Sequence, residues 1–128
     1  MNTDDRRIIL QTDFEPALDR VLCGFERAGF CVWPVNGNGR FRVVSDDRVL
    51  RCAELEVTLP ELTFAADVSA TLAGCRITMC ELTPDSTLVS ANSPLVPYPG
   101  LSSLLPRIRL RVDRVLQQLV GSTAQTAA

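Results

Sequence analysis

Two apolar stripes with helical spacing, one near each end of the chain, bracket a middle stretch that alternates with a period of two. Few folds admit that arrangement. Phe14, Leu18, Val21, Leu22, Phe25 and Ala28 form the first stripe, with Glu15, Asp19, Arg20, Glu26 and Arg27 falling elsewhere. Asp13 is a suitable N-cap and Glu15 lies where the helix dipole favours negative charge. Pro16 is tolerated in the first turn, and Gly29 supplies the stop. Leu104, Ile108, Val112, Val115, Leu116 and Leu119 form the second stripe, which predicts a helix from about Ser102 to Val120 with Pro106 near its start.

Between the stripes the chain reads as strands and turns. Ile8, Ile9 and Leu10 lie in a first β-prone run, Arg6 to Thr12. Phe30 to Val35 and Arg40 to Val44 flank Asn36-Gly37-Asn38-Gly39, which reads as a hairpin because Asn and Gly reach positive φ cheaply. Pro34, lacking an N–H, puts that first arm on a sheet edge or at a bulge. After the turn Ser45-Asp46-Asp47, Arg51, Ala53, Leu55 and Val57 alternate with Cys52, Glu54, Glu56 and Thr58, predicting a strand over Arg48 to Leu59. Pro60 opens a short helix to about Ala66. Cys75 to Leu82 and Leu88 to Ala91 form a second hairpin around Thr83 to Thr87. Pro94, Pro97 and Pro99 make Asn92 to Gly100 an extended strap.

The expectation is one α+β domain over residues 1–128, with residues 1–5 and 121–128 as disordered tails. Its architecture is a two-layer sandwich, an antiparallel or mixed sheet of about five strands with the two long helices on one face. The other sheet face stays open, and covering it with a second copy predicts a homodimer.

Residue types narrow the chemistry. The chain has no histidine, and all 13 of its basic residues are arginine. That removes imidazole bases, His-ligated metals, lysine Schiff bases and the P-loop lysine. A net charge of -2 gives no electrostatic footprint for nucleic acid. No apolar run has the length of a membrane span, and MNTDDRR is unlike a signal peptide. Five cysteines without a CxxC pair or metal-type spacing read as free thiols in a reducing cytoplasm, and neither metal nor cofactor is implied.

Candidate site residues follow from this inventory. Cys75 and Cys80, five apart on one strand, face opposite ways. Cys75 belongs with Ile77 and Met79, while Cys80 shares a face with Arg76 and Thr78, where Arg76 would be the cation lowering a thiol pKa. Cys23 lies off the first stripe. Arg107, Arg111 and Arg114 form a ridge along the last helix able to grip a carboxylate or phosphate. Tyr98, between Pro97 and Pro99, is placed to cover a pocket. Packing and solvated surface account for each of these residues as well.

The Gly29-Phe30 passage from helix to strand, Pro60-Glu61-Leu62, and Cys75-Arg76-Ile77-Thr78-Met79-Cys80-Glu81 together resemble the bacterial and archaeal domain-of-unknown-function 302 family over roughly Ile8 to Leu119. Ala73-Gly74 and Leu59 depart from the family's Leu-Pro and Asn. The resemblance implies a compact α/β fold, often dimeric, with no established activity. Taken together, the residues predict a dimeric module binding a protein or a small or anionic ligand through Cys75, Arg76, Cys80, Tyr98, Arg107 and Arg111. The alternative is a thiol-dependent enzyme or redox sensor using Cys75, Cys80 or Cys23.

Overall fold

The computed structural model describes residues 6–35, 39–59, 74–92, 103 and 105–127. In chain order the elements are β1 (Arg6–Leu10), α1 (Phe14–Arg27), β2 (Cys31–Pro34), β3 (Arg40–Ser45), β4 (Arg48–Thr58), β5 (Gly74–Thr83), β6 (Ser86–Ala91) and α2 (Leu105–Ala127). Residues 1–5, the expected short helix over Pro60–Ala66, the strap beyond Asn92 with its Tyr98, and the expected helix start at Ser102 lie outside the described residues.

All strand pairs are antiparallel, in the order β1-β6-β5-β4-β2 with β3 also on β4, so the fold is α+β. The expected hairpin between β2 and β3 does not form. Instead both strands run antiparallel to β4 along the same edge, β2 opposite Leu55–Thr58 and β3 opposite Arg48–Ala53. Six strands therefore fill five sheet positions. Glu54 joins the two segments: its carbonyl accepts from Val35 N–H at 3.0 Å, and its own N–H donates to the Gly39 carbonyl at 2.7 Å. Gly39 has φ +75°, and a Cβ there would stand 2.8 Å from the Glu54 oxygen, so glycine is required where the chain rejoins β4. The edge along β4 is thus interrupted at Glu54, between β2 and β3, as Pro34 permits. The tight turn falls later, at Asp46 and Asp47, both with positive φ.

The core is one cluster. Ala53, Leu55 and Val57 of β4, Cys75, Ile77 and Met79 of β5, Val89 and Ala91 of β6 and Leu10 of β1 bring one sheet face into it. Phe14, Ala17, Leu18, Val21 and Phe25 come from α1, and Ile108, Val112, Val115, Leu116 and Leu119 from α2. Residues of both sequence stripes are therefore buried in the same cluster as these strand residues. Phe25 meets Phe30 edge to face at 5.3 Å between centroids.

α2 runs to Ala127, well past the expected end at Val120. Gly121 costs about 1 kcal/mol in a helix interior, but nothing after it forces a stop, and extending an existing helix fixes only one residue per added hydrogen bond. The expected tail from residue 121 is accordingly helical backbone as far as Ala127.

Candidate functional site

β4 and β5 present different chemistry on their two faces. The face outside the core is crossed by one apolar row. Ile9 pairs with Leu88, Leu88 with Cys80, Cys80 with Cys52 and Cys52 with Phe41, which carries the row over five strands. Val43, opposite Leu50, widens it at one end. Ile9, Phe41, Val43 and Leu82 are 47%, 42%, 41% and 37% exposed. The next row is polar, with Arg7, Ser90, Thr78 and Glu54 in register. Beyond it Arg76 lies opposite Glu56, which lies opposite Trp33. Arg76 bridges Glu54 at 3.3 Å and Glu56 at 3.2 Å, and Trp33 Nε1 donates to Thr58 Oγ1 at 3.1 Å.

Within the apolar row, Cys52 Sγ and Cys80 Sγ stand 3.0 Å apart. Cys52 is buried and Cys80 half-buried. Burial, followed by the hydrogen bond with Cys80, pushes the Cys52 thiol up to about 12.

One residue along each strand, on the core side, Arg51 meets Glu81. Its Nη2 donates to Glu81 Oε2 at 2.7 Å and to Asp13 Oδ1 at 2.5 Å, and its guanidinium lies 5.4 Å from the Phe14 ring centroid. Arg51 N–H also donates to Glu81 Oε1 at 3.2 Å. Hydrogen bonds from Arg51 side chain and backbone hold the Glu81 carboxyl below its ordinary 4.5. The Phe14 N–H, then Arg51, hold Asp13 below its ordinary 3.8. Asp13 occupies the N-cap position expected of it, yet makes no side-chain cap hydrogen bond. The guanidinium, offering a charge-assisted bond, has drawn the carboxylate toward β4.

The surface carries two concavities, the first of them beside these groups. One, of about 250 Å³, lies beside Phe14, Glu15, Arg40 and Arg51. The other, of about 430 Å³, runs between the helices beside Arg20, Cys23, Arg27, Gln118 and Leu119.

The residues singled out by sequence do not converge on one site. Cys75 is in the core, its thiol pushed up to about 12 by burial and then by the Asp113 charge. Cys80 faces the other way, as the odd spacing requires, and Arg76 is held by two carboxylates. Arg107 is exposed. Arg111 leaves the expected ridge: Nη2 donates to the Ala28 carbonyl at 2.7 Å, and its guanidinium lies 5.6 Å from the Phe30 ring centroid. It thereby ties α2 to the C-terminal carbonyls of α1, where positive charge is favourable. Cys23 is exposed at the inter-helix groove.

Two groups escaped sequence reasoning. Arg51 carried a signal, being a charge on the apolar side of the β4 alternation that must find partners if half-buried. Cys52 carried half of one: its parity put it with Glu54 and Glu56, but the register that sets it against Cys80 is not local.

Fold and site define an α+β domain whose antiparallel sheet packs one face into the core and crosses the other with an apolar row exposed at its two ends. No family model matches the chain, and no curated protein matches it. Among solved structures it is similar to a START superfamily protein from Mycobacterium smegmatis, with 15% identity over 95% of this chain and 97% of that one and a TM-score of 0.42. No helix among the described residues is long and apolar enough to cross a membrane.

Proposed function

We propose that the chain is a binding module that pairs with a second copy of itself through the apolar row of its sheet, both long helices lying on the opposite face as the second layer of a sandwich. The observation that carries this is the row from Ile9 to Phe41, apolar across five strands and exposed at both ends. Ile9, Phe41, Val43 and Leu82 leave large apolar side chains open on this face, and a twofold axis lets one patch cover itself. Arg7, Arg76, Glu54 and Glu56 at the polar end supply both signs of charge for a rim. Kinship with the domain-of-unknown-function 302 family belongs to this reading and rests on the Gly29-Phe30 and Cys75–Glu81 segments. So does a cytoplasmic setting without nucleic acid or membrane.

Sedimentation velocity over a range of protein concentrations tests it. The wild type is expected to sediment as a dimer and Phe41→Asp as a folded monomer with an unchanged circular dichroism spectrum. A wild type that stays monomeric into the high micromolar range ends the self-pairing reading. A dimer indifferent to Phe41→Asp moves the interface elsewhere. The rival, a thiol enzyme, loses its support at Cys75, since burial holds that thiol protonated at neutral pH.

A further inference from the structure

Cys52 and Cys80 face each other on the sheet in a geometry that their strands impose. The Glu54 N–H and carbonyl both point to the β2–β3 edge, where they bond Gly39 and Val35. Strand backbone groups alternate in direction, so Cys52, two residues away, points to that edge as well. Its pairing with Cys80 on the β5 side is therefore a non-hydrogen-bonded pair. In such pairs the Cα atoms approach to about 4.5 Å and the side chains stand closest. That separation falls within the roughly 4.4–6.8 Å that a disulfide spans. The sulfur atoms are already 3.0 Å apart, so no backbone movement is needed to join them.

No other described thiol competes. Cys75 is on the core side. Cys31 is paired with Thr58, six residues from Cys52 along β4 and so about 20 Å away. Cys23 is on α1.

We infer that Cys52 and Cys80 form a dithiol site that low-molecular-weight disulfides oxidise to an intrachain cross-strand disulfide, reversibly, whether or not the sheet face pairs with a second copy. Cys80, the more exposed of the two, loses its proton and its sulfur attacks one sulfur of the small disulfide. That S–S bond breaks, and one small thiolate departs and takes up the proton. Cys52 then gives up its proton and attacks Cys80 Sγ in the mixed disulfide, expelling the second small thiol. Two protein thiols are oxidised, one small disulfide is reduced to two thiols, and no other reactant is consumed. The half-burial of Cys80 slows the first step, and the 3.0 Å separation of the sulfur atoms favours the second, because the resolving sulfur is in place before the mixed disulfide forms.

The probe is oxidised glutathione added to the folded full chain, followed by alkylation of remaining thiols, trypsin and mass spectrometry. Cleavage at arginine leaves Cys52 and Cys75 together on residues 52–76 and Cys80 on residues 77–107. The expected product is a linked pair of these peptides. It should be retained in full in Cys75→Ala, absent in Cys52→Ala and Cys80→Ala, and undone by dithiothreitol. Because wild type and Cys75→Ala carry the decision, the result stands even if Cys52→Ala folds poorly. Loss of the link in Cys75→Ala overturns the assignment. So does a wild type that yields only glutathione adducts, links to Cys23 or Cys31, or a link seen only in denaturant.

Discussion

The two faces of the β4–β5 strand pair are built from one alternating sequence and meet opposite fates. On one face Ala53, Leu55, Val57, Cys75, Ile77 and Met79 share a buried cluster with both helices, and the charges that β4 and β5 place on that face among the described residues, Arg51 and Glu81, are locked to each other and to Asp13. On the other, Glu54, Glu56 and Arg76 are grouped toward one end and an apolar row crosses beside them. The difference separates the face that holds the fold from the face proposed for self-pairing. Atoms buried by the chain itself hold the fold. Apolar atoms left exposed add little to the fold, and burying them is the driving force that the proposed self-pairing would use.

The sharpest break in this contrast is expected at Phe25. It is fully buried against Phe30, so Phe25→Ala should cost about 3–5 kcal/mol, the usual range for emptying a buried aromatic site. Urea unfolding measures it. A loss below about 1 kcal/mol would mean that the α1 stripe collapses around the gap far more freely than a packed core allows.

Next comes the ion cluster, which should show as a pH dependence. The Glu81 and Asp13 carboxyls are both held below their ordinary values of 4.5 and 3.8, chiefly by hydrogen bonds to Arg51 for Glu81 and to backbone and Arg51 for Asp13. A carboxyl depressed in the folded state contributes stability that is fully present above its unfolded pKa and is lost as pH falls through the folded one. Unfolding free energy should therefore hold from neutrality to about pH 5 and drop below about pH 4. Arg51→Met should flatten that drop. At neutral pH the substitution should cost on the order of 1 kcal/mol, since the group is about one-third exposed and solvent screens the pair. An unchanged acid limb in Arg51→Met would show that the cluster forms no more tightly than surface pairs do.

How much of this was legible in the sequence divides along the same line as local and non-local order. α1, the second hairpin and the face assignments of Cys75 and Cys80 follow from periods of 3.6 and 2 and from the turn residues, all set within a dozen positions. The β2–β3 interruption was misread because Asn36-Gly37-Asn38-Gly39 has the composition of a tight turn; only the pairing of both segments with β4 distinguishes the two. Cys52 and Cys80 have visible parity, but their register depends on how residues 59–73 return the chain, which no local rule fixes. Arg111 looked like part of a solvated ridge since spacing along α2 says nothing of where α1 ends. The Ala28 carbonyl is what turns that guanidinium inward.

The smallest effect is the most discriminating. Phe41 has the same side chain as Phe25 but is 42% exposed, on the row's outer strand. Phe41→Ala should change the unfolding free energy of the dilute monomer by only about 0.5–1 kcal/mol, the worth of a cross-strand neighbour on a sheet surface. Self-pairing through the row adds a second dependence, because association stabilises the folded state by mass action and makes the melting temperature rise with protein concentration. Wild type should show that rise and Phe41→Ala should show little of it, with the two curves meeting at high dilution. Scanning calorimetry across a hundredfold range of concentration, in reductant so that Cys52 and Cys80 stay as thiols, reads both quantities at once. Parallel curves separated by several kcal/mol at every concentration would place Phe41 among the residues that hold the fold, and the contrast between the two faces would fail at that strand.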